Sequence, residues 1–362
     1  MLKGVRIIQI EGLGPGPFAA MTLADLGAEV TVVHRKDNSG ASPGVSQDSI
    51  LDRGKRSIEL DLKDADDIAL LKRMIGNADG LIEGFRPGVM ERLGIGPDEC
   101  LAVNPKLIYG RMTGWGQDGP LAMAAGHDLN YIGVSGALWY ASLPDQPPIA
   151  PPTLVGDIGG GALYLVIGML SAIINARSTG KGTVVDAAIV DGSAHMMNLL
   201  MSVGSSKILS HKRGDSLLDG PHFSRSYRTS DGGFVSVQCL EPKFYQLFLD
   251  TLELGDDPEY TRQFDKALWP TLCQRTADIF AAKPLSEWAA LFEGSDACVA
   301  SVLSPLASSQ HPHMMARGVW VTSEGLLQAA PAPRFGPGAP PSPGPIPQRG
   351  QHSAEIRAEY HG

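Results

Sequence analysis

Val5-Arg6-Ile7-Ile8-Gln9-Ile10 runs directly into Glu11-Gly12-Leu13-Gly14-Pro15-Gly16-Pro17 and then Phe18-Ala19-Ala20-Met21. A short apolar run, a glycine-rich turn and an amphipathic stretch make the strand, loop and helix of one βαβ unit. The rhythm continues with strand-like runs at Glu29–Val33, Ser57–Leu60, Asp79–Glu83 and Leu107–Gly110, and helix-like stretches at Phe18–Leu26 and Ala65–Ile75. The pattern predicts an α/β protein with a Rossmann-like parallel sheet. A buried helix over about Ile158–Arg177, a strand at Thr183–Ala187 and a helix over about Val190–Leu209 extend it. From about Gly214 the character changes. His222–Thr229 and Gly233–Leu240 read as a strand pair around Asp231-Gly232-Gly233, followed by helices rich in Trp, Phe and Leu. The expected organisation is a large domain over 1–200, completed by 325–362, and a smaller α+β domain over 215–320. Eight prolines between 331 and 347 predict an extended strap, and Ser353–Tyr360 a short closing helix.

The chain has 362 residues, 43% of them hydrophobic and 19% charged, with a formal net charge of −9. That composition supports a sizeable core and excludes a disordered chain. The acidic balance argues against nucleic acid as partner, because no basic surplus exists to neutralise phosphates. Cys100, Cys239, Cys273 and Cys298 show no C-x-x-C spacing, so neither a disulfide framework nor a zinc site is expected, and a cytoplasmic setting fits. Gly159–Ala176 is free of charge and about as long as a membrane span. Its glycines, Ser171, Asn175 and the flanking Asp157 and Arg177 favour a core helix instead, so no membrane span is expected. No signal peptide or peroxisomal address is expected either.

The opening turn would suit a dinucleotide, but Pro17 stands where the third glycine of G-x-G-x-x-G belongs, and His34-Arg35 follows the second strand instead of an acid. NAD is not expected. Arg35, Arg53, Lys55, Arg56, Arg86 and Arg92 fall near the ends of successive strands, where a phosphorylated, nucleotide-like carrier could bind. The alternative is scattered surface charge. Gly126-His127-Asp128-Leu129-Asn130-Tyr131 and, further on, Leu154-Val155-Gly156-Asp157-Ile158-Gly159-Gly160-Gly161 form the sharpest local patterns. Asp157 could be a helix N-cap and His127 a loop histidine. The surrounding glycines would equally allow a ligand close to backbone N–H groups.

Together with Glu83-Gly84-Phe85-Arg86-Pro87-Gly88 and Gly110-Arg111-Met112-Thr113-Gly114-Trp115-Gly116-Gln117, these motifs resemble the family III CoA-transferase superfamily, and within it the α-methylacyl-CoA racemase branch. The likeness runs from Gly12-Leu13-Gly14-Pro15-Gly16-Pro17 to Pro331-Ala332-Pro333-Arg334-Phe335. It implies an acyl-CoA enzyme with no metal and no cofactor beyond the coenzyme A of its substrate, folded as an interlocked homodimer. The branch's bases correspond to His127 and Asp157, and the acidic partner of the histidine to Glu241. The coenzyme A site would comprise Arg35, Leu60, Asp61, Leu62, Lys63, Gly84, Phe85, Arg86, Arg92, Gly126, His127, Asp128, Leu129, Asn130 and Tyr131.

Inverting a stereocentre beside a thioester requires a proton to leave one face and another to arrive on the opposite face, a task for two bases of opposite protonation. Histidine titrates near neutrality unaided, whereas an aspartate needs burial to hold a proton. The enolate intermediate would need donors, and free N–H groups at the start of the Asp157 helix are the expected ones. The rival reading is a CoA transferase with Asp157 as nucleophile, and a third is a non-catalytic acyl-CoA binding protein. Met196, Met197, Met201, Met314 and Met315 are candidates for an adaptable acyl surface, with core packing the blander reading. His311 and His313 lack a third metal ligand in the sequence.

Overall fold

The computed structural model describes residues 1–36, 49–204 and 209–360. The loop Asp37–Asp48 and the end of the helix expected to reach Leu209, residues 205–208, lie outside the described residues. Two compact units divide the chain: one comprises residues 1–138, 150–197 and 313–362, the other 139–149 and 198–312.

The first unit is built on six strands, β1 (Arg6–Ile10), β2 (Glu29–Arg35), β3 (Arg56–Leu60), β4 (Gly80–Glu83), β5 (Ile108–Thr113) and β6 (Thr183–Ala188). They lie in the order β3-β2-β1-β4-β5-β6, all parallel. This is the doubly wound α/β arrangement, and it reverses direction between β1 and β4. Strand alternation sends neighbouring apolar residues to opposite faces. Ile7, Val30, Ile82 and Ile108 pack on one side with Ala19, Ala20 and Leu23 of helix Pro15–Asp25 and with Leu165, Met169 and Ile173 of helix Leu163–Thr179. Ile8, Ile10, Val33, Ile58 and Leu81 pack on the other with Leu70, Leu71 and Ile75 of helix Ala65–Gly76 and with Ile356. Asp64 starts that last helix properly, its side chain accepting the N–H groups of Asp66 and Asp67.

Leu154–Thr179 is the one stretch among the described residues long and apolar enough to cross a membrane. Leu165, Val166, Met169, Ile173 and Ala176 are buried in the core, so the helix serves the sheet, while Leu163, Ile167 and Ile174 stay exposed. It is not one uniform helix as expected. Leu154–Ala162 is π-helical, with Ile158 N–H bonded to Thr153 O, and Leu163–Thr179 is α-helical. After β6 the expected single helix is two, Ile189–Met196 and Asn198–Gly204. The C-terminal segment adds an unforeseen hairpin, β10 (Trp320–Ser323) and β11 (Leu326–Ala329), before the proline-rich strap and helix Ser353–Tyr360.

The second unit holds an antiparallel sheet of β7 (Ser224–Arg228), β8 (Phe234–Gln238) and β9 (Val299–Ser301), the third strand not legible in the sequence. Its core gathers Phe223, Tyr227, Phe248, Phe280, Trp288 and Phe292.

Candidate active site

A cleft of about 820 Å³ opens where the strand order reverses, the place ligands occupy in open α/β sheets. Its walls come from Ile10 and Glu11 at the end of β1, the turn Gly12–Pro17, Glu83 to Pro87 from the last residue of β4 onward, Met112 to Trp115 from the end of β5 onward, and Gly126, His127, Tyr131 and Asp157. Each group stands at a carboxyl end of a central strand or in the connection that follows it.

His127 is the extended residue before helix Asp128–Ser135, and its N–H donates to Asn130 Oδ1 at 3.0 Å. Its ring is exposed to the cleft. Tyr131, one turn on, meets Trp115 edge to face at 4.8 Å between ring centres and donates its hydroxyl to Gly126 O. Burial, and then the charge of Asp157, raise the Tyr131 phenol above its ordinary value.

Asp157 is not an N-cap. The residue before the π-helical segment is Thr153, with a left-handed φ of 62°, and Asp157 projects from the first turn. π-Helical segments inside α-helices frequently occur at functional sites. Its N–H donates to Asp128 Oδ1 at 2.8 Å. Burial first, and the charge of Asp128 second, push the Asp157 carboxyl up to about 6, while His127 pulls it down. With the Asp157 N–H given to Asp128 and the Ile158 N–H to Thr153, two of the expected enolate donors are already engaged.

The glycines around Asp157 serve packing. A Cβ on Gly156 would run into the Asp128 carboxylate, and one on Gly160 into Ser193 of helix Ile189–Met196. Close approach of protein to protein accounts for both, so neither is evidence of backbone left bare for a ligand.

Of the six cationic residues expected to gather round a phosphate, Arg35 and Arg86 line the cleft. Arg35 lies over the Phe85 ring at 5.5 Å. The others are committed elsewhere or lie outside the lining. Arg53 is bound by Asp25, Gln328 and Ala329 O; Lys55 is buried against Gln9, Pro17 O and Asp52. Arg56 pairs with Glu355 and Glu359, and the exposed Arg92 ends the short helix Val89–Arg92. Leu60 belongs to the core, and Asp61, Leu62 and Lys63 form the turn after β3, outside the cleft lining. Gly84, Phe85, Gly126, His127 and Tyr131 do line it, whereas exposed Leu129 and Asn130 and buried Asp128 do not. Glu241 lies in the second unit, exposed at the start of helix Pro242–Thr251.

Most of the lining was not assigned to the site from the sequence, Glu11, Arg349, Glu83 and Met112 among it. Glu11 accepts from His34, from the Arg35 N–H and from both terminal nitrogens of Arg349. Burial works to raise its carboxyl, but those bonds outweigh burial and hold it far below the usual carboxylate range. Arg349 comes from the strap, where nothing local marks it. Glu83, pushed up to about 7 by burial, accepts the Phe85 N–H at 2.7 Å and fixes the loop beneath the cleft. Met112 lines the cleft, while Met196, Met201 and Met315, for which core packing was one expectation, are exposed. Among the described residues no three His, Cys, Asp or Glu side chains group as metal ligands.

The family model described as CoA-transferase family III matches residues 2–353. The chain is 40% identical to alpha-methylacyl-CoA racemase of Mus musculus over 99% of this chain and 93% of that one. It is 29% identical to acetyl-CoA:oxalate CoA-transferase of Acetobacter aceti over 99% and 95%. A CAIB/BAIF family protein from Brucella suis superposes with a TM-score of 0.80 at 27% identity, covering 99% and 98% of the two chains. A parallel sheet switching direction at a cleft, the motifs that line that cleft and a match across nearly the whole chain lead to one conclusion: this chain belongs to CoA-transferase family III.

Proposed function

We propose that this protein is an isomerase that racemises or epimerises 2-methylacyl-CoA thioesters by moving one proton off, and another onto, the α-carbon. The observation that carries the reading is the pairing of His127 with Asp157. Both line one cleft, and Asp157 has a carboxyl raised to about 6, which the neighbouring His127 pulls down. Near neutrality such a pair can hold one proton between two bases, as inversion in either direction requires. One base takes the α-hydrogen, the C–H electrons pass to the thioester oxygen as an enolate, and the other base delivers its proton to the opposite face. The two bases then exchange roles for the reverse reaction. Glu241 would orient the imidazole and favour its charged form.

Coenzyme A enters as part of the substrate, with Arg35 and Arg86 at the cleft to meet its phosphates and Gly84 and Phe85 beneath. No resident cofactor or metal is part of this reading. A homodimer is, and exposed apolar residues on the first unit, among them Leu129, Val134, Ile167 and Ile174, support it. A cytoplasmic location accords with four free cysteines.

A transferase sharing 29% identity favours a second reading. There Asp157 attacks the thioester carbonyl, expels CoA as thiolate and carries the acyl group as a mixed anhydride. The test is proton NMR of the protein with a 2-methylacyl-CoA in deuterated water. Enzyme-dependent loss of the α-hydrogen signal, abolished in His127→Ala, supports the isomerase. CoA passing to an added carboxylate without α-exchange replaces it with the transferase.

A further inference from the structure

Asp128, expected among the coenzyme A contacts, lies outside the cleft lining and is only 7% exposed. Its Oδ1 accepts the Asp157 N–H at 2.8 Å, and its Oδ2 is buried with no hydrogen-bond partner among the described residues. Burying a carboxylate oxygen unpaired costs free energy. A purely structural tie to the Asp157 backbone would need only a neutral acceptor, which an amide or hydroxyl supplies without that cost. Gly156 is the residue that admits the carboxylate, since any Cβ there would occupy its place.

We propose that Asp128 is a positioning residue for the proton that Asp157 carries: one oxygen fixes the turn from which Asp157 projects, and the negative charge shut in beside it favours the protonated acid. The arrangement works as a carboxylate pair does, in which one group's charge makes its neighbour reluctant to ionise. The direction agrees with the raised Asp157 carboxyl, to which Asp128 contributes after burial. Other ionisable neighbours are few. His127 opposes the effect, and Tyr131 stands beside the carboxyl with Arg86 acting on it in turn. Helix Pro15–Asp25 presents the Gly14 turn to the Asp157 carboxylate, β5 presents Met112 to the segment, and helix Ile189–Met196 presents Ile189, Ser193 and Met196. The carboxylates of β6 and that helix, Asp186 and Asp191, act on each other, and Tyr164 of helix Leu163–Thr179 bonds His195.

This inference rests on the isomerase reading for its use, but its test does not. Asp157 is titrated by carbon-13 NMR, its signal assigned by loss in Asp157→Asn, in the parent and in Asp128→Asn. The pH profile of α-hydrogen exchange is recorded beside it. The expected result is a downward shift of the Asp157 titration, and of the acid limb of exchange, by about one pH unit in Asp128→Asn. Gly156→Ala, which displaces the carboxylate without removing it, should shift both the same way and stands in if the first variant does not fold. An unmoved titration in either folded variant, or an Asp157 that titrates at the ordinary carboxylate value in the parent, overturns the proposal. A parent that exchanges no α-hydrogen while its Asp157 titration still shifts on substitution overturns the isomerase reading and leaves the coupling of Asp128 to Asp157 standing.

Discussion

Glu83 and Arg111 stand opposite each other in register at the carboxyl ends of β4 and β5, and Glu83 Oε1 accepts from Arg111 Nε at 3.1 Å. The other Glu83 oxygen holds the Phe85 N–H, and Arg111 reaches on to Glu91 at 2.8 Å. The loop that floors the cleft is thereby anchored through a buried ion pair. Removing Glu83 would leave the Phe85 N–H without its acceptor and Arg111 with Glu91 as its remaining carboxylate. Glu83→Ala should cost about 1–3 kcal/mol in chemical denaturation and raise the KM for acyl-CoA.

Asp157 should exact a pH-dependent cost in stability. A carboxyl whose folded value of about 6 exceeds its unfolded value of 3.8 favours the fold fully below 3.8 and loses that contribution as pH rises through 6. Asparagine does not titrate. Asp157→Asn should match the parent at acid pH and exceed it at alkaline pH by up to about 2–3 kcal/mol, while α-exchange falls by about 10²–10⁴-fold. Guanidinium unfolding at two pH values checks the first expectation and NMR the second.

The Glu11–Arg349 pair behaves oppositely. Burial opposes ionisation of Glu11, yet the bonds from His34, Arg349 and the Arg35 N–H hold its carboxyl below the ordinary 4.5. Its contribution is therefore present above that value and lost as pH falls beneath it. Arg349→Ala should lower stability at neutral pH by about 1–3 kcal/mol and flatten the parent's loss of stability on acidification, as read from unfolding midpoints across the acid range.

Gly160→Ala tests whether close packing explains the glycines. The new Cβ would lie 2.7 Å from the backbone N of Ser193, which cannot rotate away. A loss of about 1–3 kcal/mol is expected, visible as a lower thermal midpoint, and a variant as stable as the parent would contradict the packing assigned to this helix pair.

Alternating apolar runs and glycine-rich turns made the parallel sheet and its helices readable, because strand and helix periodicities are local properties of the chain. The motifs around His127 and Asp157 were equally visible. Their surroundings were not. Arg53, Lys55 and Arg56 lie in sequence among residues suited to a phosphate, yet Asp25, Gln9, Asp52 and Glu359 claim them through contacts spanning up to 303 residues. Arg349 joins the cleft from a proline-rich strap with no pattern to announce it. The tie from Asp128 to Asp157 depends on Gly156 leaving room for the Asp128 carboxylate, and nothing in the local pattern announced the π-helical start of the Leu154–Thr179 helix. The sequence by itself determined the parallel sheet with its covering helices and which residues could do chemistry. Tertiary structure alone decided which charges remained free to face a ligand, because burial and long-range pairing, absent from any local window, set the state of each ionisable group.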